Sequence, residues 1–318
     1  MKARHYAGLL LLALLVLVSC APRAAEETPL KAVSLKAGEK LRVVATTSIV
    51  ADVVRNVGGD LITLTTLLPL GTDPHSFQPT PQDVAAVSKA HVVMANGAGL
   101  EEFLESLLKN TGKVPVVQLS EGLTLHQIET HEHEEGNSEH EHAGGDPHTW
   151  TSPAHVIVFA QNAARALSVL DPAHAATYQA NAQTYKQKLE ALDAWIAEQI
   201  ATIPPEHRKL VSDHLTFGYY AERYGLEIVG AVLPSYSTAA QASAKELAAL
   251  QDAIQKHGVR AILVGMSVNP SLVERLAQDT GIKVVKVYTG SLGPAGSGAE
   301  DYIGYMRYNT QAIVEALR

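Results

Sequence analysis

The 318-residue sequence predicts an α/β protein of two lobes, each with a central parallel sheet flanked by helices, joined by one long rigid spine helix. Short apolar, β-branched runs alternate with helical patterns in both halves of the chain, as in sheets covered by helices. Between the halves, apolar residues recur at steps of three and four without a gap, which indicates one long helix. We therefore expect a first lobe over residues 41–170, a spine helix over 171–204 and a second lobe over 205–318.

The first half contains four predicted strands, at residues 41–47, 61–67, 91–95 and 116–119. Helical patterns lie between them at 49–57, after residue 80 and at 101–109. The middle helix has a clear start, because Thr80 is a good capping residue and Pro81 is tolerated in the first helical position. Short links between these elements favour a parallel sheet.

The spine helix is predicted over residues 172–203 and ends at Pro204-Pro205. At the usual rise it would be about 45–50 Å long, more than one small lobe needs. Its apolar stripe consists of Tyr178, Ala182, Tyr185, Leu189, Leu192, Ile196, Ile200 and Ile203.

The second half repeats the alternation. Its predicted strands lie at 209–212, 227–232, 261–265 and 284–288, and its helices at 216–224, 243–256, 270–278 and 302–317. Ser243 and Glu246 have the spacing of a capping box, which supports one of these helix starts. Two similar halves form a cleft, and loops at strand ends are where such folds place ligands.

The amino terminus has the pattern of an export signal over residues 1–19, with a basic start and an apolar run too short to span a membrane comfortably. Cys20, the only cysteine, follows Leu17-Val18-Ser19, which resembles a bacterial lipobox. That resemblance implies cleavage before Cys20 and lipidation of its sulfur; the alternative is an unpaired thiol at the end of an ordinary signal peptide. Residues 20–40 are rich in Ala, Glu, Pro and Lys and are predicted to be a flexible, lipid-anchored linker.

Three histidines in separate, distant loop contexts are the candidate metal ligands: His75, His148 and His214. Imidazole suits zinc, and three such ligands from distant loops form a site that only the folded chain can assemble. Each follows Asp or Asp-Pro, so the candidate acceptors for the distal ring N–H groups are Asp73, Asp146 and Asp213. Taken singly, each histidine could equally be a hydrogen-bonded surface residue.

A histidine- and glutamate-rich segment over residues 126–146 interrupts the α/β pattern and is predicted to be a mobile surface loop. Its alternation of imidazole and carboxylate suits weak, exchangeable zinc capture, although a solvated acidic loop is the simpler interpretation. The candidate capture residues are His126, His131, His133, His140 and His142.

Composition limits the partners. The hydrophobic fraction is 46% and the charged fraction 18%, which is typical of a globular fold. The formal net charge of −8 argues against nucleic acid and suits attraction of a cation.

Several motifs in order resemble the metal-binding lipoproteins of zinc and manganese ABC importers, the cluster A-I proteins similar to ZnuA and TroA. The motifs lie at residues 68–79, 146–153, 214–219, 224–226, 291–293 and 302–309. The resemblance implies His75, His148 and His214 as ligands, a spine helix between lobes and delivery of the ion to an ABC permease with its ATPase subunit.

The chain departs from this family at one position. The family usually supplies an acidic fourth ligand just before the 291–293 motif, and here that residue is Gly290. The fourth ligand is then a water, a loop carboxylate or another oxygen. Since manganese prefers oxygen-rich sites, the cargo is expected to be Zn²⁺ rather than Mn²⁺. Trp150, Phe217 and Tyr219 lie beside ligands in sequence and are expected to wall the cleft or pack in the core.

The leading hypothesis is a non-enzymatic, monomeric zinc receptor outside the cytoplasmic membrane, lipid-anchored at Cys20 or periplasmic. The main alternative is a zinc hydrolase or lyase, because three histidines and an open position also describe a catalytic site. Against it, the sequence has no His-Glu-x-x-His helix and no Gly-x-Ser-x-Gly elbow. A manganese-binding homologue and a surface adhesin are further alternatives.

Overall fold

Two four-stranded parallel sheets form the centres of two lobes, which confirms the predicted fold class. The computed structural model describes residues 29–111, 114–127 and 145–318. Strand order is β2-β1-β3-β4 in the first sheet and β6-β5-β7-β8 in the second, so the two lobes share one topology. The first sheet comprises β1 (Leu41–Ala45), β2 (Ile62–Thr66), β3 (Val92–Ala95) and β4 (Val116–Gln118). The second comprises β5 (Lys209–His214), β6 (Glu227–Leu233), β7 (Ala261–Gly265) and β8 (Lys283–Val287).

The helices of the first lobe begin where the sequence supplies capping residues. They are α1 (Ser48–Gly58), α2 (Pro81–Ser88), α3 (Phe103–Thr111) and α4 (Pro153–Leu170). Thr80 accepts the backbone N–H of Asp83, and the Asp83 carboxylate accepts the Thr80 N–H at 2.7 Å, so α2 begins with a full capping box. The predicted start of this helix is confirmed.

The second lobe carries α6 (Gly218–Tyr224), α7 (Ala244–His257), α8 (Ser271–Thr280) and α9 (Tyr302–Leu317). The Ser243–Glu246 capping box is present at the start of α7. Strand β5 extends two residues beyond the predicted end, so that His214 is its last residue. This position places the histidine at the carboxyl edge of the sheet.

The spine helix α5 (Ala175–Ala201) has 27 residues and is therefore about 40 Å long. It is shorter than predicted, because Pro172–His174 form a separate 3₁₀ turn and the helix stops two residues before Ile203. The predicted stripe from Tyr178 to Ile200 is buried. Helix α5 packs against α1 and α4 of the first lobe and against α6 and α9 of the second, so one continuous core joins both lobes.

Helix α4 was not predicted. Most of the small residues on its buried face are alanines, among them Ala160, Ala163 and Ala164. Alanine is only weakly apolar, so it does not mark the buried face of a helix clearly in the sequence. Its small side chain nevertheless lets α4 lie close against α5. The helix starts at Ser152-Pro153 and turns at Asp171 into the spine, which makes α4 and α5 a helical hairpin.

The linker prediction for residues 20–40 is wrong over its second part. Leu30, Val33 and Leu35 pack against the core, and the Val33 N–H donates to the carbonyl of Leu170 at 2.8 Å. The packing of these three apolar side chains outweighs the polar composition here. The predicted signal segment and Cys20 lie outside the described residues. No helix in the described ranges is long and apolar enough to cross a membrane.

Candidate metal centre

The three predicted ligands meet in the cleft between the lobes. His148 Nε2 lies 3.1 Å from His75 Nε2 and 3.2 Å from His214 Nε2. One ligand atom from each of the three residues lies within 4.8 Å of the others. Ligand atoms of a tetrahedral zinc ion are about 3.3 Å apart for bonds of about 2.0–2.1 Å, so the spacing fits one small ion.

Each lobe contributes to this centre. His75 comes from the loop between β2 and α2, and His148 immediately precedes the 3₁₀ turn Thr149–Thr151, both in the first lobe. His214 ends β5 in the second lobe. His148 and His214 are almost completely buried and His75 is partly buried. A bound ion would therefore contact both lobes at once.

Two of the three preceding aspartates hold the ligand rings. Asp146 Oδ1 accepts the ring Nδ1–H of His148 at 2.7 Å, and Asp213 Oδ1 accepts that of His214 at 2.6 Å. A carboxylate is only an acceptor, so each contact selects the tautomer with the proton on Nδ1 and a lone pair on Nε2. Two lone pairs 3.2 Å apart repel each other, and a cation between them removes that repulsion.

Asp73 lies in a different arrangement. Its Oδ1 accepts the backbone N–H of His75 at 3.1 Å, and its Oδ2 accepts the hydroxyl of Thr238 from the second lobe. The carboxylate thereby fixes the backbone of the His75 loop and ties it across the cleft. The proline between Asp73 and His75 restricts the same loop further.

Aromatic side chains close one side of the centre. Trp150 packs edge-on to His148 with ring centroids 5.2 Å apart, and its indole N–H donates to the Thr289 carbonyl at 3.0 Å. Tyr236 lies 6.4 Å from the His148 ring. Phe217 packs against Tyr220 in the core. Of the three aromatic residues that lie near the predicted ligands in sequence, Trp150 is therefore the one that lines the centre.

Residue 290, where the family usually supplies a fourth ligand, packs directly against Pro74. A Cβ at Gly290 would lie 2.8 Å from Pro74 Cγ and still closer to Cδ. Any side chain at 290 would therefore displace the loop that carries His75. An oxygen does contact one of the three rings: Thr216 Oγ1 lies 2.5 Å from His214 Nε2. Neither contact could be recognised in sequence, since Gly290 and Pro74 are far apart in the chain and Thr216 belongs to no ligand pattern.

His126 makes several contacts with the second lobe, although the sequence predicts that it belongs to a mobile capture loop. Its ring stacks on Tyr219 with centroids 4.1 Å apart, and its Nε2 lies 2.7 Å from Glu222 Oε2 on α6. Its carbonyl accepts the backbone N–H of Asp146 at 2.8 Å, which closes the base of the loop. Residues 126 and 146 therefore form a fixed stem, because aromatic stacking and hydrogen bonds hold them against the second lobe. His131, His133, His140 and His142 lie outside the described residues.

The Tyr219 hydroxyl connects this stem to the ligand. It accepts the backbone N–H of His126 at 3.1 Å and donates to the carbonyl of Asp146 at 2.7 Å. Burial raises the pKa of Tyr219, so the hydroxyl keeps its proton at neutral pH. Since the Asp146 carboxylate orients His148, the stem, Tyr219 and the ligand form one connected unit.

The chain is similar in sequence and fold to several metal-binding proteins. The family model described as "Zinc-uptake complex component A periplasmic" matches residues 43–316. The manganese-binding lipoprotein MntA of Halalkalibacterium halodurans is 34% identical over 281 residues, covering 88% of this chain and 89% of that protein. The manganese ABC transporter substrate-binding lipoprotein PsaA of Streptococcus mitis is 30% identical, covering 97% of this chain and 96% of its own. The periplasmic zinc binding protein TroA from Treponema pallidum superposes with a TM-score of 0.77 at 28% identity, over 88% of this chain and 99% of that one.

Proposed function

This chain belongs to the ZnuA family of metal-binding proteins that serve ABC importers, and we propose that its cargo is zinc. The family is a solute-binding component of a transporter and not an enzyme, so the hydrolase alternative is dropped. Permease and ATPase partners follow from the same membership. The protein would capture the ion outside the cytoplasmic membrane and present it to the permease.

The donor set is the observation that carries the zinc assignment. Three imidazole nitrogens converge, and no carboxylate can project from Gly290, which packs on Pro74. Manganese is a hard ion that prefers carboxylate, carbonyl and water oxygens, whereas imidazole suits zinc. Manganese is the second candidate, favoured by the names of MntA and PsaA. The three imidazoles that converge in this chain favour zinc over manganese.

The decisive experiment is metal-dependent growth, because affinity alone does not separate the two candidates. Almost any site binds zinc more tightly than manganese. A host strain lacking this protein should fail under zinc limitation and recover when the wild-type chain is supplied. A His148→Ala variant is the matched control and should not restore growth. If the wild-type chain restored growth only under manganese limitation, manganese would be the cargo.

Acid release is a second expectation of an all-imidazole site. Metal binds only neutral imidazole, so protons compete for every ligand. Zinc affinity should therefore fall as the pH is lowered from 7 to 5. Zinc affinity that stays constant between pH 7 and pH 5 would contradict the assignment.

We propose a capture role for the histidine- and glutamate-rich loop between the two stem residues. Support comes from its composition and from the closed stem, in which His126 and Asp146 hydrogen bond to each other. Replacing residues 129–143 with a short Gly-Ser linker should keep the tight site but lower the loading rate or stoichiometry. Unchanged stoichiometry by calorimetry and unchanged stopped-flow loading would leave the loop as a linker only.

Anchoring at Cys20 and a monomeric state complete the proposal. MntA and PsaA are named lipoproteins, and Cys20 follows a lipobox-like sequence. A Cys20→Ser variant should move from the membrane fraction to the soluble extracytoplasmic fraction, with loss of the lipid mass from its amino-terminal peptide. Membrane retention of this variant would contradict the anchor. Light scattering should give the mass of one chain.

A further inference from the structure

A buried oxygen beside the imidazole of His214 belongs to Thr216. We propose that the Thr216 hydroxyl serves in place of the acidic side chain that Gly290 lacks and is the fourth, neutral ligand of the ion. This inference rests on the proposed zinc function and assigns one more residue to the same centre. It explains how a chain with glycine at the acidic position can still complete a four-ligand site.

The local backbone places Thr216 at the centre. The Thr216 N–H donates to the carbonyl of His214 at 2.8 Å, which folds the chain back sharply after the ligand. The side chain of residue 216 therefore lies against the ring of residue 214, with Oγ1 2.5 Å from Nε2. Thr216 is fully buried, so this hydroxyl is not a solvent-exposed group that happens to lie near the ring.

The hydroxyl faces the metal-binding atom of His214 and no other atom of that ring. Asp213 accepts the Nδ1–H of His214, so Nε2 carries a lone pair. The Thr216 O–H can donate to that lone pair. Once zinc takes the lone pair, the hydroxyl loses this acceptor. A change in the side-chain torsion of Thr216 then has to lengthen the Oγ1–Nε2 distance from 2.5 Å to about 3.3 Å, so that both atoms can bind one ion.

The Oδ1 atoms of Asp146 and Asp213 already serve other groups. Asp213 Oδ1 accepts both N–H groups of His214, and Asp213 Oδ2 accepts the Gly265 N–H at 2.6 Å. Asp146 Oδ1 likewise accepts the backbone and ring N–H groups of His148. Recruiting either carboxylate to the ion would release the ring that it orients. Thr216 can contact the ion without that loss.

A hydroxyl in place of a carboxylate changes the chemistry of the site in a predictable direction. The ligand set is then three neutral imidazoles and one neutral oxygen, with negative charge only on the outer aspartates. Hard ions gain most from a directly bound carboxylate, so this set disfavours manganese relative to zinc. A neutral oxygen is also a weaker ligand than a carboxylate, which favours release to the permease.

The test compares Thr216→Val, which keeps the shape and removes the hydroxyl, with Thr216→Ser, which keeps the hydroxyl. Competition with a chelator should show a 10- to 100-fold loss of zinc affinity for the valine variant and less than about threefold for the serine variant. Thr310→Val is a matched control, since Thr310 is equally buried but its hydroxyl contacts Tyr220. Thermal unfolding of the metal-free proteins establishes that each variant is folded.

Anomalous scattering at the zinc edge gives the direct readout. A zinc-loaded wild-type crystal should place Oγ1 of Thr216 about 2.0–2.2 Å from the ion. The proposal is overturned if that distance exceeds 3 Å, or if Thr216→Val binds zinc as well as or better than the wild type. Equal losses in the valine and serine variants would also overturn it, because packing would then be the cause. Failure of the zinc assignment would appear separately, as rescue of the host under manganese limitation with Oγ1 still bound to the ion.

Discussion

The Asp146 carboxylate offers the sharpest test of how this centre is held. In an Asp146→Asn variant, two N–H donors, from the ring and the backbone of His148, still point at one oxygen, at 2.7 and 2.9 Å. These donors select the amide orientation that keeps oxygen in place, so the ring retains its position and its Nδ1–H tautomer. The variant thus removes the negative charge and keeps both hydrogen bonds to His148.

The expected cost follows from that charge. An outer carboxylate raises the basicity of the imidazole and offsets the charge of the ion, and losing such a partner typically lowers metal affinity 10- to 100-fold. This corresponds to about 1.4–2.8 kcal/mol. Asp146 is only 1% exposed, so solvent screens the effect little and the upper half of the range is expected.

Chelator competition with purified, metal-free protein measures the change in zinc affinity. The His148→Ala variant shows the effect of removing the predicted ligand altogether. Asp213→Asn is the informative comparison. It should weaken zinc by a similar factor and also destabilise the metal-free fold by about 1–3 kcal/mol, because an amide N–H₂ would face the Gly265 N–H. Wild-type zinc affinity in Asp146→Asn would refute the view that this carboxylate strengthens the ligand.

Further predictions concern the loop stem and the contact between the lobes. Tyr219→Phe removes a hydroxyl that joins His126 to Asp146, so the free energy of unfolding should fall by about 1–2 kcal/mol in denaturant titration. Glu222→Gln should change it by less than about 1 kcal/mol, since Glu222 is largely exposed; a larger loss than in Tyr219→Phe would contradict the assignment of the stem to Tyr219. Burial raises the pKa of Asp52, so this carboxyl costs stability as pH rises above its ordinary value near 3.8. Asp52→Asn should therefore gain stability relative to wild type between pH 4 and pH 7 in thermal unfolding, and a constant difference would contradict the buried charge.

The sequence was sufficient to predict elements whose signal is local. The spine helix follows from a stripe of large apolar residues such as Tyr178 and Leu189, which no strand or loop would repeat at that spacing. Helix α4 was missed because its buried face is rich in alanine, and alanine is almost as common on exposed helix surfaces. Its identity depends on close packing against α5, which only the folded chain shows.

The same distinction applies to the metal centre. His75, His148 and His214 could be selected because three similar local contexts recur at distant positions. The contact between Gly290 and Pro74 joins the two lobes, and the local sequence around either residue does not predict it. Thr216 follows a ligand by two residues, but its role depends on a backbone turn that brings Oγ1 back to the ring of His214.

Direct hydrogen bonds join the two lobes, so the ion is not the only link between them. The Ser48 hydroxyl of the first lobe accepts the N–H of Leu292 of the second at 3.0 Å. Asp52 of the first lobe accepts the N–H of Tyr302, the first residue of α9, at 3.1 Å. These contacts, together with the shared core around α5, hold the two lobes together independently of the metal. Metal affinity in this protein should therefore depend mainly on how rigidly each ring is oriented. Substitutions of the aspartates that orient the rings should weaken zinc more than substitutions at the Ser48 contact, which should act mainly on the stability of the fold.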